Sequence, residues 1–202
     1  MNYDKKKLSI LLSRLKEQEI LKLNLEQYQT EGEIAGDILW KAFLNNDIKG
    51  KTIADLGCGN GIFGIGALLM EAKKVYFLDK DIDAIDAAKE NYKRLKLKNG
   101  IFLNKDINEF EKKADVVLMN PPFGVQKEHN DKIFLEKAME ISQKIYSLHK
   151  IESKEFIKKL AETNNFSVSG VYDYNLLIKQ KYKFHKRKSY YVKIGCWILE
   201  KC

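Results

Sequence analysis

The chain has 202 residues, 45% of them hydrophobic and 11% aromatic, which suits one folded domain and excludes a disordered chain. Lys and Arg number 36 against 28 Asp and Glu, a formal net charge of +8 that favours a polyanionic partner such as nucleic acid. No apolar run reaches the roughly 18 residues of a membrane span, and the Lys-rich start lacks the hydrophobic region of a signal peptide, so the expected location is the cytoplasm.

Leu8, Leu11, Leu12 and Leu15 recur at helical spacing and predict an amphipathic helix. Residues 23–29 read as a connector. Thr30 and Glu33 match the S/T-x-x-E capping box of a second helix, running to about Leu44 and burying Ile34, Ile38, Leu39 and Phe43. Residues 1–45 are thus expected as a helical segment packed on a core formed by residues 46–202, within one structural domain. The rhythm then changes. Thr52-Ile53-Ala54 predicts a strand ending near Asp55, followed by a glycine-rich turn and a helix over 62–70. Val75 to Leu78 predicts a strand ending at Asp79, and 83–97 a helix. Ile101 to Leu103 is a strand followed by Asp106, and Ala114 to Met119 a strand ending at Asn120. A helix follows at Phe134 to Ile141, a strand at Lys144 to Leu148 and a helix at Ser153 to Thr163. Two β-rich stretches, 166–178 and 189–200, predict a closing hairpin.

This alternation argues for an α/β fold with a parallel sheet covered by helices on both faces. Ligands in such sheets bind beyond the carboxyl ends of the strands. Asp55, Asp79, Asp106 and Asn120 are therefore expected to converge on one crevice. Cys58, Cys196 and Cys202 form no CxxC pair, and His129, His149 and His185 are scattered, so no metal site is expected. His149 reads as structural rather than catalytic.

The glycine turn runs Asp55-Leu56-Gly57-Cys58-Gly59-Asn60-Gly61-Ile62-Phe63-Gly64. Read from Gly59 it matches a dinucleotide fingerprint, with Asp79 at the distance of a ribose-binding acid. A nicotinamide dehydrogenase therefore enters consideration. Asp55 weighs against it: a carboxylate before the turn suits a ligand bearing a cationic amino group better than a pyrophosphate.

The most specific feature is Asn120-Pro121-Pro122-Phe123. Two prolines after an apolar strand stiffen the chain and hold the preceding residues extended, so backbone carbonyls can face the crevice. The Asn120 side chain and the Pro121 carbonyl are two acceptors, matching the two N–H groups of an exocyclic amine or amide. Phe123 offers a face for stacking, worth roughly 1–3 kcal/mol for a nucleobase. Amine attack on an activated methyl needs proximity and orientation rather than a strong base. Each acidic residue named above could also simply cap the following helix.

At these residues the chain resembles the class I S-adenosylmethionine-dependent methyltransferases that act on exocyclic or amide nitrogens. Blocks at 25–30, 55–59, 119–124, 146–150 and 182–186 are similar, in order, to the archaeal and eukaryotic small-subunit rRNA adenine N6-methyltransferase family. The resemblance implies a Rossmann-like, mostly parallel seven-stranded sheet with an antiparallel C-terminal strand. It implies that Gln27 and Thr30 close over S-adenosylmethionine, that Gly57, Cys58, Gly59, Asn60 and Ile62 line it, and that Asp79 binds its ribose. Asp106 and Ile107 would flank the adenine ring, and Asn120 would lie between cofactor and target. Asp55 near the methionine amine is our own inference from its position. Asn120, Pro121, Pro122 and Phe123 would hold the target base, which must be unpaired or flipped out.

In Lys179 to Lys188 six of ten residues are basic. Together with Tyr28, its residues Lys181, Lys183, Phe184, His185, Lys186, Arg187 and Lys188 are expected to contact RNA. The family further implies a small zinc-binding activator protein joined by sheet extension. Protein glutamine N5-methylation, guanine N2 methylation of RNA, and an inactive RNA-binding module on the same fold are the competing readings.

Overall fold

The computed structural model describes residues 3–17, 29–122, 130–179 and 189–202. The first helix, α1 (Lys5–Leu12), starts at Asp4, whose carboxylate accepts the Lys7 N–H at 2.8 Å. It buries Leu8 and Leu12 against α2 (Gly32–Leu44). The capping box expected at Thr30 does not form. The cap position of α2 is Glu31, which makes no side-chain cap bond, and the Thr30 hydroxyl instead accepts from a long-range partner described below. Phe43 is only half-buried and Ala42 takes the core position instead.

The α/β alternation follows in the predicted order: β1 (Thr52–Leu56), α3 (Ile62–Leu69), β2 (Lys74–Asp79), α4 (Ile82–Arg94), β3 (Gly100–Asn104), β4 (Val116–Met119), α5 (Asn130–Ile141), β5 (Lys144–Lys150), α6 (Lys154–Thr163), β6 (Phe166–Lys179) and β7 (Ser189–Lys201). They build one seven-stranded sheet in the order β3-β2-β1-β4-β5-β7-β6. The first five strands are parallel, and β7 runs antiparallel to both β5 and β6.

Alternate residues of each strand feed two apolar clusters, one on each face. Ile53, Leu118, Leu148 and Ile194 join Leu12, Ile38 and Ile65 on the side of α1 to α3. Ala54, Val117, Ile145 and Trp197 join Leu135 and Ile157 on the side of α5 and α6. This double coverage is why the central strands are continuously apolar rather than alternating.

The β6–β7 hairpin is longer than the strand it pairs with. The last pair between β5 and β7 is Lys150 with Ile194, yet β6 and β7 pair onward from Asn175–Lys193 to Lys179–Ser189. Five residue pairs thus project about 17 Å beyond β5, on the side where the parallel strands end. The arm is tied down at its base. Tyr174 donates its hydroxyl to Asp37 Oδ2 at 2.7 Å, Lys5 and Lys41 ion-pair with the same carboxylate, and the Lys41 ammonium lies 3.9 Å from the centre of the Tyr172 ring. Burial opposes ionisation of Asp37, but these hydrogen bonds prevail and bring its pKa down to about 2.

Candidate active site

The strand ends that face this arm carry the predicted polar residues, but not all in one crevice. The sequence places Asp55 at the mouth; the structure buries it inside β1, 1% exposed. Its Oδ2 accepts the N–H of Gly64 in the first turn of α3 at 2.8 Å, where a carboxylate opposes the helix dipole favourably. Burial raises its pKa well above the usual carboxylate range. Asp55 therefore fastens the helix behind the glycine turn, and the expectation that it faces the crevice is corrected.

The turn itself is pinned by its own backbone. The N–H groups of Gly57 and Cys58 both donate to the Leu78 carbonyl, at 2.8 and 2.9 Å, and Gly61 donates to Cys58 at 2.8 Å. Gly59 donates to Asp79 Oδ2 at 3.0 Å. Gly59 and Gly61 have φ of 54° and 83°, the left-handed region that favours glycine. A pyrophosphate site needs amides aimed at the ligand. Here four of them are already bonded within the protein. The inserted antiparallel β7 also departs from the dinucleotide-binding strand order. Both observations count against the dehydrogenase reading.

Asp79 closes the end of β2. Besides Gly59, its other oxygen accepts the Asp81 N–H at 2.9 Å. Burial raises its pKa, against the lowering effect of these two bonds. Each carboxylate oxygen has a further lone pair to offer. Cys58 is buried and burial raises its thiol pKa, so it serves as packing under the turn. Asp106 realises the capping alternative. It stands before a 3₁₀ turn over Ile107–Glu109 and accepts both the backbone and side-chain N–H of Asn108, at 3.0 and 2.8 Å. Ile107 and Ile62 are both buried, in the clusters on opposite faces of the sheet.

Asn120 follows β4 directly. Its Nδ2 donates to the Thr30 hydroxyl at 3.0 Å across 90 residues of sequence. This fixes the amide plane and turns the carbonyl oxygen away from Thr30. Pro121 is buried and Pro122 half-buried. Gln27, Tyr28, Phe123 and the basic residues Lys181 to Lys188 lie outside the described residues.

Sequence reasoning missed a polar clamp on the N-terminal segment. Asn91 of α4 is fully buried. Its Oδ1 accepts the Lys16 N–H at 2.8 Å, and its Nδ2 donates to the Lys16 carbonyl at 3.0 Å and the Asn60 carbonyl at 3.1 Å. The Asn60 side chain also reaches the Lys16 carbonyl, at 3.3 Å. The glycine turn, α4 and the segment after α1 are thereby joined. Only its polar side chain at an inward helical position, between Ala88 and Leu95, could have flagged Asn91. His149 is buried, with Nε2 2.6 Å from the Ser147 hydroxyl, and burial lowers its pKa to about 3. Among the described residues no His, Cys, Asp or Glu cluster could hold a metal, and no helix is long and apolar enough to cross a membrane.

Residues 29–147 match the family model "Methyltransferase small domain". Protein MJ0284 of Methanocaldococcus jannaschii is 36% identical over 98% of this chain and 94% of its own length. The rRNA N(6)-adenosine-methyltransferase METTL5 of Danio rerio is 36% identical over 83% of this chain and 84% of its own; its Drosophila melanogaster counterpart is 35% identical over 89% and 88%. The crystal structure of PH1948 from Pyrococcus horikoshii superposes with a TM-score of 0.92 at 38% identity, covering 100% of this chain and 99% of that one.

Proposed function

Because this chain belongs to the methyltransferase small domain family, together with the rRNA N(6)-adenosine-methyltransferases it resembles over most of its length, we propose that it methylates N6 of an adenine in ribosomal RNA, with the small-subunit rRNA as substrate. The observation that carries this reading is Asn120-Pro121-Pro122 at the end of β4, with Asn120 oriented by Thr30. Two acceptors, the Asn120 side chain and the Pro121 carbonyl, suit the two N–H groups of an exocyclic amine. Phe123 is proposed to stack on the base.

The residues around the turn fit S-adenosylmethionine. A Cβ built on Gly59 meets nothing within 4 Å, so space opens directly before the turn. Asp79 stands beside it with lone pairs suited to vicinal ribose hydroxyls, and Ile62 and Ile107 supply apolar walls for a planar base. Gln27 and Thr30 would close the pocket from the N-terminal side, with Gly57, Cys58, Gly59, Asn60 and Asp106 around it. The bound cofactor supplies an electrophilic methyl carbon on a sulfonium. The chain's own task is to aim the amine nitrogen at it and exclude water. Tyr28 and the basic run Lys181 to Lys188 are proposed to hold the phosphate backbone. A small zinc-binding activator paired to a sheet edge and a cytoplasmic location complete the proposal.

The test is incubation of the protein with labelled S-adenosylmethionine and small-subunit rRNA, followed by mass spectrometry of the nucleosides. N6-methyladenosine is expected. N2-methylguanosine, or label on a glutamine-containing peptide and none on RNA, would overturn it.

A further inference from the structure

The projecting β6–β7 arm presents two different faces. Tyr172, Tyr174, Leu176 and Val192 turn one face inward against the cluster of α1 to α3. The other face carries Val171, Asp173 and Asn175 from β6 and Tyr191 and Lys193 from β7, all exposed. Tyr191 is 69% exposed, more than any other large hydrophobic residue among those described. Its register partner is Leu177, and Lys193 pairs with Asn175. Lys193 and Tyr191 alternate along one strand face, so the ammonium and the ring share one surface. A single exposed aromatic is ordinary on a protein surface. An aromatic on an arm standing off the end of the sheet, beside a lysine and leading into Lys179 to Lys188 with its six basic residues, has a more specific use.

We infer that Tyr191, with Lys193, is a stacking platform for an unpaired base of the RNA substrate at a distance from the methylated adenine. This rests on the RNA reading given above. Met119 pairs with Ser147, Ser147 with Trp197, and Tyr191 lies six residues from Trp197 along β7. Strand spacings then place Tyr191 roughly 20 Å from Asn120. A strand held at both points is kept extended, so the target base is presented singly rather than within a helix. Single-stranded RNA is bound by this combination of an aromatic face and a neighbouring cation. Asp173, the one carboxylate among the residues named on this face, sits nearer the sheet, opposite Gly195, two residue pairs inward of Asn175–Lys193 and four inward of Leu177–Tyr191. A repulsive charge at the base and attractive groups outward direct the backbone along the arm's outer half.

The test is steady-state methylation of small-subunit rRNA by the full chain, with cofactor affinity measured separately. Tyr191→Ala is expected to raise the KM for RNA roughly tenfold while kcat and cofactor affinity stay unchanged. Tyr191→Phe should restore it, because the ring rather than the hydroxyl acts. Lys193→Gln should flatten the salt dependence of log KM by about one phosphate contact. An unchanged KM in Tyr191→Ala, or rescue by Tyr191→Leu equal to that by Tyr191→Phe, would overturn the platform alone. A wild-type chain that methylates no RNA would overturn the functional reading and the platform with it.

Discussion

Asn120 and Thr30 are joined by a 3.0 Å hydrogen bond from the amide nitrogen to the hydroxyl. The strand-end motif is thus oriented by the residue before α2, a helix that packs on the opposite face of the sheet from α5 and α6. Thr30 is 8% exposed, so its hydroxyl can exchange little with water. The aim of the Asn120 amide is set by the protein before any substrate arrives.

Thr30→Val keeps the shape of the side chain and removes the acceptor. Catalysis that depends on alignment loses up to about 100-fold from a displacement near 1 Å. The variant is expected to lose roughly 10- to 100-fold in kcat, with cofactor affinity changed less than about threefold. Thr30→Ser should recover most of the rate. Single-turnover methylation with isothermal titration of the cofactor checks both.

Two glycines of the same turn should separate ligand binding from stability. Both have positive φ, so an alanine is strained by roughly 1–2 kcal/mol at either place. A Cβ on Gly61 also meets Ala88 at 3.1 Å, Ile65 at 3.2 Å and Phe77 at 3.3 Å, whereas a Cβ on Gly59 meets nothing. Gly61→Ala is expected to show the larger loss of stability in urea denaturation. Gly59→Ala should be the milder change in stability yet weaken S-adenosylmethionine at least tenfold, because its methyl occupies the proposed pocket.

Asn91→Leu preserves volume but takes the side-chain partner from the Lys16 N–H and the Asn60 carbonyl, and leaves the Lys16 carbonyl the 3.3 Å bond from the Asn60 side chain. Buried polar groups without partners cost about 1–3 kcal/mol each, less where water can enter. A loss of about 2–4 kcal/mol is expected by urea denaturation. Hydrogen exchange should rise at Lys16 before it rises in the central strands.

His149 gives a pH dependence of known sign. Burial lowers its pKa from 6.5 to about 3 in the folded protein, so the unfolded chain takes up a proton first as the pH falls. Its contribution is intact above pH 6.5 and is lost at about 1.4 kcal/mol per pH unit on going from there towards 3. His149→Gln should remove that slope while leaving the contribution of the carboxylates. Unfolding free energies of both proteins between pH 7 and 5 check this, and equal slopes would contradict it.

Much of the architecture was legible because it rests on local patterns. Short apolar runs alternating with helical periodicity specify strands buried on both faces, and each predicted element is present within a few residues. The glycine turn and Asn120-Pro121-Pro122 were legible for a related reason. Their backbone conformations require particular residue types, so the sequence itself records them. Individual hydrogen-bond partners were not legible. Thr30 has the spacing of a capping box, and only the fold shows that its hydroxyl is used by Asn120. Asp55 reads as a crevice residue until β1 is seen to continue past it to Leu56. Asn91 carries no motif at all, because its partners include backbone atoms of segments 31 and 75 residues away. The strength of a polar group's role depends on which donor or acceptor reaches it within about 3 Å and on how much water is left around it. Periodicity fixes which face of an element is apolar, but that distance is set only when the elements pack.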